Sequence, residues 1–160
     1  MLIPVAPMGT GLTAGDLTTG ETATAFSSNA PTTPAMAIDD SVSNSWTSFN
    51  QDIQWWQIQF SQPRKIRQLR LSSAAAQFER MPRDFTLLAS NTGAFGGEEA
   101  TLLTVDESGA YWSALETKTF NFTNDTKYTY YRVHMTDKQD SFGRVAEYYL
   151  TEVEMREVPI

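Results

Sequence analysis

The chain has 160 residues, 41% hydrophobic and 19% charged, a composition typical of one globular domain. Its 19 acidic residues against 12 lysines and arginines give a net charge of −7, which argues against binding to nucleic acid or to an anionic membrane. With no cysteine and one histidine, the chain has no disulfide, no thiol nucleophile and no zinc centre rich in Cys or His.

The first 21 residues are rich in Gly, Thr, Ala and Pro and show almost no hydrophobic periodicity. They predict an N-terminal arm or linker (1–21) that leads into one domain (22–160). The apolar start has no basic residue and is interrupted by Pro4 and Pro7, so we do not expect a signal peptide. No run of about 18 apolar residues is present, and a membrane-spanning helix is therefore not predicted.

From Thr22 onward the apolar pattern is that of short strands separated by Gly, Pro, Asn and Asp. The clearest predicted strands are Trp55–Phe60, Lys65–Ser72, Asp84–Ser90, Ala100–Val105, Thr117–Phe122, Tyr128–Thr136 and Tyr148–Arg156. No window of a dozen residues carries an apolar stripe with the helical period. The pattern predicts an all-β domain, an antiparallel sandwich or barrel.

Strict alternation marks the inward face of the first strand, where Trp56, Ile58 and Phe60 lie on one side. In the next run the inward positions Ile66 and Leu69 are three apart rather than two. This skipped position predicts a bulge or a local twist within that strand.

Enzyme signatures are absent from the sequence: it has no nucleophile elbow, no paired-histidine zinc motif and no phosphate loop. The segment Gly93–Gly97 is rich in glycine, but it follows a strand without opening a helix, so phosphate binding is not expected. His134 alternates with apolar neighbours inside a predicted strand, which indicates a surface or edge residue rather than a catalytic base.

A polar segment before Trp46 brings several oxygen ligands together. Asp39, Asp40, Ser41 and Asn44 lie within six positions, a composition suited to Ca²⁺, which prefers carboxylate and carbonyl oxygens in a curled loop. The same residues also form Asx turns without any metal. From these residues alone, both interpretations stay open.

Four phenylalanines lie in predicted loops among Asn, Gln, Arg and Asp: Phe49, Phe78, Phe95 and Phe142. An aromatic ring beside planar polar groups suits a sugar, because the ring stacks on the C–H face while the polar groups bind hydroxyls. The alternative for each phenylalanine is a loop anchored to the core.

Taken in order, five segments resemble a known family. They are Ala37–Trp46, Gln54–Pro63, Arg80–Gly93, Tyr130–Val133 and Leu150–Met155. Their order resembles the discoidin or coagulation-factor 5/8 type C domain, one of the galactose-binding-like β-sandwiches that include family 32 carbohydrate-binding modules. The resemblance implies a jelly-roll β-sandwich of about eight antiparallel strands that has no catalytic activity.

The resemblance also implies a structural Ca²⁺ between the early acidic loop and the last strand. Its expected ligands are Asp39, the Ser41 carbonyl, Asn44, the Thr151 carbonyl and Glu152. Two departures bear on this site: Asp40 stands where glycine is usual, and Asn44 where Thr or Ser is common.

In such domains the ligand is bound by loops at one end of the sandwich. The matching loops are Ser27–Asn29, Phe49–Asp52, Gln77–Arg80 and Asp137–Phe142. The expected ligand contacts, with Arg80 first, are Arg80, Phe78, Asn50, Phe142, Phe49 and Gln77.

The sequence and the resemblance together predict a non-catalytic module that recognises a cell-surface glycan. We expect it to be a subunit of a larger assembly, such as a bacteriophage tail or an adhesion apparatus, presented in several copies beside neighbouring subunits. Its expected place is extracellular or on a virion, without a signal peptide. One alternative is a structural virion or complex subunit that docks to partner proteins without a small ligand, and another is an accessory domain of a glycosidase.

Overall fold

A computed structural model of the chain describes residues 15–106, 111–138 and 147–157. Within them the backbone forms two 3₁₀ helices, Pro34–Ile38 and Phe78–Arg80, and ten strands. The strands are β1 (Thr22–Ala25), β2 (Trp46–Thr47), β3 (Gln54–Arg64), β4 (Gln68–Ser72), β5 (Pro82–Ser90), β6 (Ala100–Val105), β7 (Thr117–Asn121), β8 (Tyr128–Lys138), β9 (Tyr149–Leu150) and β10 (Glu152–Arg156). The all-β class is confirmed. Across these three stretches, no helix is long enough to cross a membrane.

The structure has more strands than the eight or so predicted. β2 and β9 pair with each other and have only two residues each, too few for an alternating pattern to mark them. The predicted strand Tyr148–Arg156 is interrupted at Thr151, which separates β9 from β10.

The larger sheet has five antiparallel strands in the order β1-β3-β8-β5-β6. On β3 the side chains of Trp56, Ile58 and Phe60 are buried, whereas Trp55 and Gln59 reach solvent. The predicted alternation of this strand is confirmed. It places the inner face of the sheet against the core and the outer face toward solvent.

The smaller sheet has the order β10-β4-β7, and its buried residues join those of the larger sheet in one hydrophobic cluster. The bulge predicted between Ile66 and Leu69 is wrong. β4 begins only at Gln68 and pairs with both neighbours in continuous register. The skipped position therefore marks the start of the strand, and Ile66 is a buried residue that precedes it.

The part of the predicted arm that the structure describes packs along β10. The backbone N–H of Leu17 donates to the Met155 carbonyl at 3.0 Å, and the Thr18 hydroxyl donates to the Val153 carbonyl at 3.0 Å. Thr18 is fully buried. These bonds cover the outer edge of β10, the end strand of its sheet, where unpaired backbone groups would otherwise be exposed.

Tyr131 on the central strand β8 joins the end of β3 to the start of β4. Its hydroxyl donates to the Arg64 carbonyl at 2.6 Å, accepts the Ile66 N–H at 3.1 Å and lies 3.3 Å from the Asn124 amide nitrogen. Burial raises the pKa of Tyr131 to about 12. One side chain thus satisfies the backbone of a buried chain reversal.

The substitution Tyr131→Phe is expected to lower the free energy of unfolding by about 2 kcal/mol, because the buried Ile66 N–H and Arg64 carbonyl lose their partner. Urea denaturation measures the change. Tyr111→Phe is the matched control, since Tyr111 is 59% exposed and should leave stability unchanged. Equal stability of Tyr131→Phe and the unsubstituted protein would contradict this role.

Candidate functional site

Three of the four loops predicted to bind a ligand lie at one end of the sandwich, and most of the fourth, Asp137–Phe142, lies outside the described residues. β3 begins at this end with Gln54, which lies opposite Met135, and β5 begins there with Pro82 opposite Lys138. The segments before β3 and β5 and after β1 therefore lie at this end, where β8 finishes at Lys138.

Polar contacts connect the first two of these loops. The Ser27 hydroxyl donates to Gln54 Oε1 at 2.8 Å and accepts the Phe49 N–H at 3.0 Å. The indole N–H of the buried Trp46 donates to the Ser27 carbonyl at 3.1 Å. A buried side chain thus holds the loop after β1 against the loop before β3.

An open pocket of about 400 Å³ lies beside these loops, lined by Phe26, Gln51, Asp52, Ile53 and Trp55. Phe26 and Ile53 are 55% and 56% exposed, so the pocket presents two large apolar side chains to solvent. The rings of Phe26 and Trp55 meet edge to face, with centroids 6.3 Å apart. The pocket combines an apolar floor with one amide and one carboxylate.

Trp55 is also held in place by an arginine. The Arg132 guanidinium lies 4.0 Å from the Trp55 ring centroid and 3.8 Å from that of Phe95, so it is stacked between the two. Its Nε and Nη2 both donate to Gln57 Oε1, at 3.0 and 2.8 Å. This stack fixes the plane of the indole ring.

The four tryptophans differ in what their indole N–H groups do. Those of Trp46, Trp56 and Trp112 donate to backbone carbonyls, and all three side chains are buried. Trp55 is half-exposed, and its indole N–H donates to no residue in the part of the chain that the structure describes. Its polar edge is available to a ligand.

Arg80, the first of the predicted contacts, lies on the second 3₁₀ helix within a polar cluster. Its guanidinium pairs with Glu147 at 2.8 Å and lies 5.3 Å from the ring centroid of Tyr149. Glu147 also accepts a long hydrogen bond of 3.4 Å from the Asn29 amide. The loop after β1 therefore has the pocket on one side, through Phe26, and the Arg80 cluster on the other.

The other predicted contacts differ in exposure. Phe49 and Asn50 are exposed in the loop that leads into the pocket residues, and Gln77 is exposed at the start of the second 3₁₀ helix. Phe78 is half-buried and packs against the hydrophobic core, the alternative considered for a loop phenylalanine. Phe142 lies outside the described residues.

Sequence reasoning missed three residues of the pocket: Phe26, Ile53 and Trp55. The position of Trp55 could have indicated a binding site. A tryptophan on the outward face of an alternating strand is unfavourable to expose to water unless another side chain or a ligand covers its ring. Phe26 and Ile53 gave no such indication, since they lie at strand ends where alternation no longer assigns a face.

Three carboxylates converge between the acidic loop, the N-terminal segment and β10. Oxygens of Asp16, Asp40 and Glu152 all lie within 4.8 Å of one another. Glu152 is only 6% exposed, and both its carboxylate oxygens are buried without a hydrogen-bond partner. Burial and the charges of Asp40 and Asp16 raise the pKa of Glu152 to about 8. Converging carboxylates around buried unpaired oxygens suit a hard divalent cation.

Of the residues expected as metal ligands, one belongs to this cluster and others make hydrogen bonds outside it. Glu152 is part of it, but the Asp39 carboxylate accepts the Ser41 N–H at 3.0 Å and the Asn44 amide at 2.8 Å, which makes an Asx turn. The Thr151 hydroxyl is bonded to that of Ser45 at 2.9 Å.

Asp40 replaces Asp39 as the converging carboxylate. Its backbone is left-handed, with φ 59°, which explains why glycine is usual at this position; aspartate is among the residues that tolerate this conformation best. The Thr19 hydroxyl lies 3.0 Å from Asp40 Oδ2.

In the glycine-rich loop after β5, the carboxylate of Glu98 accepts hydrogen bonds from groups of the loop itself. Glu98 accepts hydrogen bonds from the hydroxyls of Ser90 and Thr92, at 2.5 and 2.6 Å, and from the N–H of Gly96 at 2.9 Å. These bonds, the Ser90 hydroxyl first, lower the pKa of Glu98 to about 2. The donors that a phosphate would need are already in use.

His134 lies on the outer face of β8, between Trp55 on β3 and Thr86 on β5. It is a half-buried surface residue of a central strand rather than an edge residue. Burial and the charge of Arg132 lower the pKa of His134.

The sequence matches the F5/8 type C domain family over residues 22–148. Because this range is most of the chain, the protein belongs to that family. No curated protein sequence matches the chain.

Three carbohydrate-binding modules are among the solved structures that have the same fold. Chitosan-binding module 1 from the chitosanase/glucanase of Paenibacillus sp. IK-5 superposes with a TM-score of 0.68 and 24% identity, over 88% of this chain and 98% of that one. The family 32 module of C. perfringens NanJ, in complex with galactose, gives 0.65 and 16%, over 84% and 91%. CpGH89CBM32-5 from Clostridium perfringens, in complex with GalNAc-β-1,3-galactose, gives 0.67 and 16%, over 84% and 94%. These likenesses establish the galactose-binding-like β-sandwich that was predicted.

Proposed function

We propose that the protein is a non-catalytic module that recognises cell-surface glycans at the loop end of its sandwich. The observation that carries this proposal is the pocket of Phe26, Gln51, Asp52, Ile53 and Trp55. It places the half-exposed Trp55, which Arg132 holds from one face, beside an amide and a carboxylate.

The chemistry of this pocket suits a pyranose ring. The apolar C–H face of a sugar would stack on Trp55, with Phe26 and Ile53 at its sides. Asp52 would accept hydrogen bonds from two hydroxyls, and Gln51 would donate or accept one. Further sugars of a chain would reach Phe49 and Asn50 and, across the loop after β1, the Arg80 cluster.

Family membership supports the proposal, as do the superposed modules that hold galactose or GalNAc-β-1,3-galactose. The pocket is open and shallow, so one site should bind weakly, and presentation in several copies would supply the avidity that attachment needs. We propose such presentation, extracellular or on a virion, within a larger assembly such as a phage tail or an adhesion apparatus.

Glycan binding is expected to protect Trp55 from acrylamide quenching. The other three tryptophans are buried, so quenching of intrinsic fluorescence reports mainly on Trp55. Galactose, GalNAc-β-1,3-galactose and chitosan oligosaccharides are the first ligands to titrate. With a sugar that binds, calorimetry should show about tenfold weaker affinity for Trp55→Ala, which has lost the fluorescent reporter, because one aromatic stacking contact contributes about 1–1.5 kcal/mol.

Tyr111→Ala is the control for this experiment, since Tyr111 is an exposed aromatic residue that does not line the pocket. Affinity should be unchanged in that variant. Binding of a glycan with full retention of affinity in Trp55→Ala would contradict the pocket, and failure of all glycans on a broad array would contradict glycan recognition itself.

We also propose that Asp16, Asp40 and Glu152 hold a structural Ca²⁺. A divalent cation would neutralise the mutual repulsion of these groups and bind the two buried Glu152 oxygens that have no partner. The ion would tie the N-terminal segment, the acidic loop and β10 together, away from the sugar pocket.

Calcium is expected to raise the melting temperature of the protein relative to EGTA. An ion that binds only the folded state adds about 2.7 kcal/mol at a hundredfold excess over its dissociation constant. Glu152→Gln should abolish the rise and, without calcium, melt no lower than the unsubstituted protein, because a buried carboxyl that lacks a partner is replaced by a neutral amide.

Asp125→Asn is the matched control for the metal site, because the Asp125 side chain is 93% exposed and lies outside the cluster. It should keep the full calcium response. An unsubstituted protein that melts at the same temperature in calcium and in EGTA would contradict the metal site.

A further inference from the structure

The glycine-rich loop after β5, residues 91–99, contacts the residues behind the candidate glycan pocket. β5 begins at the pocket end of the sandwich and runs away from it, so this loop belongs to the opposite end. The ring centroid of Phe95 nevertheless lies 3.8 Å from the guanidinium carbon of Arg132, which in turn lies 4.0 Å from the ring centroid of Trp55. The loop is thereby connected to the tryptophan that lines the pocket.

Phe95 has an unfavourable backbone conformation. Its φ of 48° is left-handed, which is rare for a bulky residue and persists only where surrounding contacts hold it. Its side chain is half-buried, whereas Ala94 and Gly96 on either side of it are exposed. The strain therefore indicates that the ring is held for its contact with Arg132.

The carboxylate of Glu98 holds this conformation. Its Oε1 accepts the Phe95 N–H at 3.2 Å, and its Oε2 accepts the Gly96 N–H at 2.9 Å. The same carboxylate accepts the hydroxyl of Ser90, the last residue of β5, at 2.5 Å. Glu98 thus ties the backbone of Phe95 to the end of a strand.

Arg132 transmits the position of Phe95 to Trp55. The guanidinium is stacked between the two rings, and its Nε and Nη2 donate to Gln57 Oε1 at 3.0 and 2.8 Å. Gln57 lies on the outer face of β3 and is only 8% exposed. Because the guanidinium is held by two rings and by Gln57, it cannot turn away from Trp55 without losing these contacts.

We propose that Phe95, held by Glu98, is a positioning residue for Trp55. Its ring keeps the Arg132 guanidinium against the indole, and so keeps the indole in the orientation in which it lines the pocket. Neither Phe95 nor Glu98 lines the pocket itself. The consequence for affinity rests on the proposed function, in which Trp55 stacks on a sugar.

The first test needs no glycan. Phe95→Leu keeps an apolar side chain but removes the ring, so acrylamide should quench the Trp55 fluorescence more strongly than in the unsubstituted protein. The ¹H–¹⁵N signal of the Arg132 Nε–H should also move, because one of the two ring currents that act on it is lost. Phe95→Tyr keeps the ring and should restore both readouts.

A pair of neighbouring carboxylates separates the conformation of Phe95 from the charge of the loop. Glu98→Gln removes an acceptor for the backbone N–H groups of the loop, and it should change both readouts in the same direction as Phe95→Leu. Glu99→Gln is the matched control. Both carboxylates interact with the charge of Arg132, but Glu99 accepts the Gly97 N–H at 2.8 Å rather than that of Phe95. An effect of charge alone would appear in both variants and would contradict the role of Glu98.

The second test measures affinity by calorimetry, with a glycan that binds the unsubstituted protein. Phe95→Leu and Glu98→Gln should each weaken binding about two- to fivefold, the loss expected for one cation–π contact, whereas Phe95→Tyr and Glu99→Gln should not. Melting curves show which variants are folded, and Glu98→Gln provides the same test if Phe95→Leu does not fold.

Two results would overturn the proposal. One is unchanged quenching and an unchanged Arg132 signal in the folded Phe95→Leu or Glu98→Gln variant. The other is a displaced Trp55 that leaves glycan affinity intact. If no glycan binds at all, the proposed function fails, while the quenching and the Arg132 signal still decide whether Phe95 positions Trp55.

Discussion

The burial of one face of β3 is the constraint on which the rest of the structure depends. Because Trp56, Ile58 and Phe60 must enter the core, the alternation of the strand places Trp55 on the outer face. Its exposure is compensated by the stack with Arg132 rather than by burial. The same packing that holds the sandwich together thus produces a fixed aromatic surface beside the ligand loops.

Buried side chains of the core also hydrogen-bond to the backbone around them. Trp46 donates its indole N–H to the Ser27 carbonyl, and Trp56 donates to the Pro34 carbonyl. The first bond joins the loop after β1 to a buried side chain of the core, and the second joins the first 3₁₀ helix to β3. A pocket whose walls are already ordered loses little conformational entropy when a sugar binds, which matters for a shallow site with few contacts.

Local pattern was enough to predict the strands of five or more residues and the core positions that they supply, because a buried face repeats every second residue. It was not enough for the sites, whose geometry depends on residues far apart in the chain. Arg80 was predicted as a ligand contact. Its ion pair with Glu147 was not predicted, because the two residues are 67 positions apart and no local sequence pattern indicates such a contact. For the acidic loop the sequence left a Ca²⁺ site and an Asx turn both open, and whether Asp39 or Asp40 turns toward Glu152 depends on one left-handed backbone angle.

The most direct test of the account is a ¹H–¹⁵N correlation spectrum recorded while galactose or GalNAc-β-1,3-galactose is added. The account predicts shifts of the Trp55 indole and of the Gln51–Ile53 amides, with the indoles of Trp46, Trp56 and Trp112 almost unmoved because they are buried and bonded to backbone. Binding that shifts signals elsewhere and leaves Trp55 unchanged would contradict it.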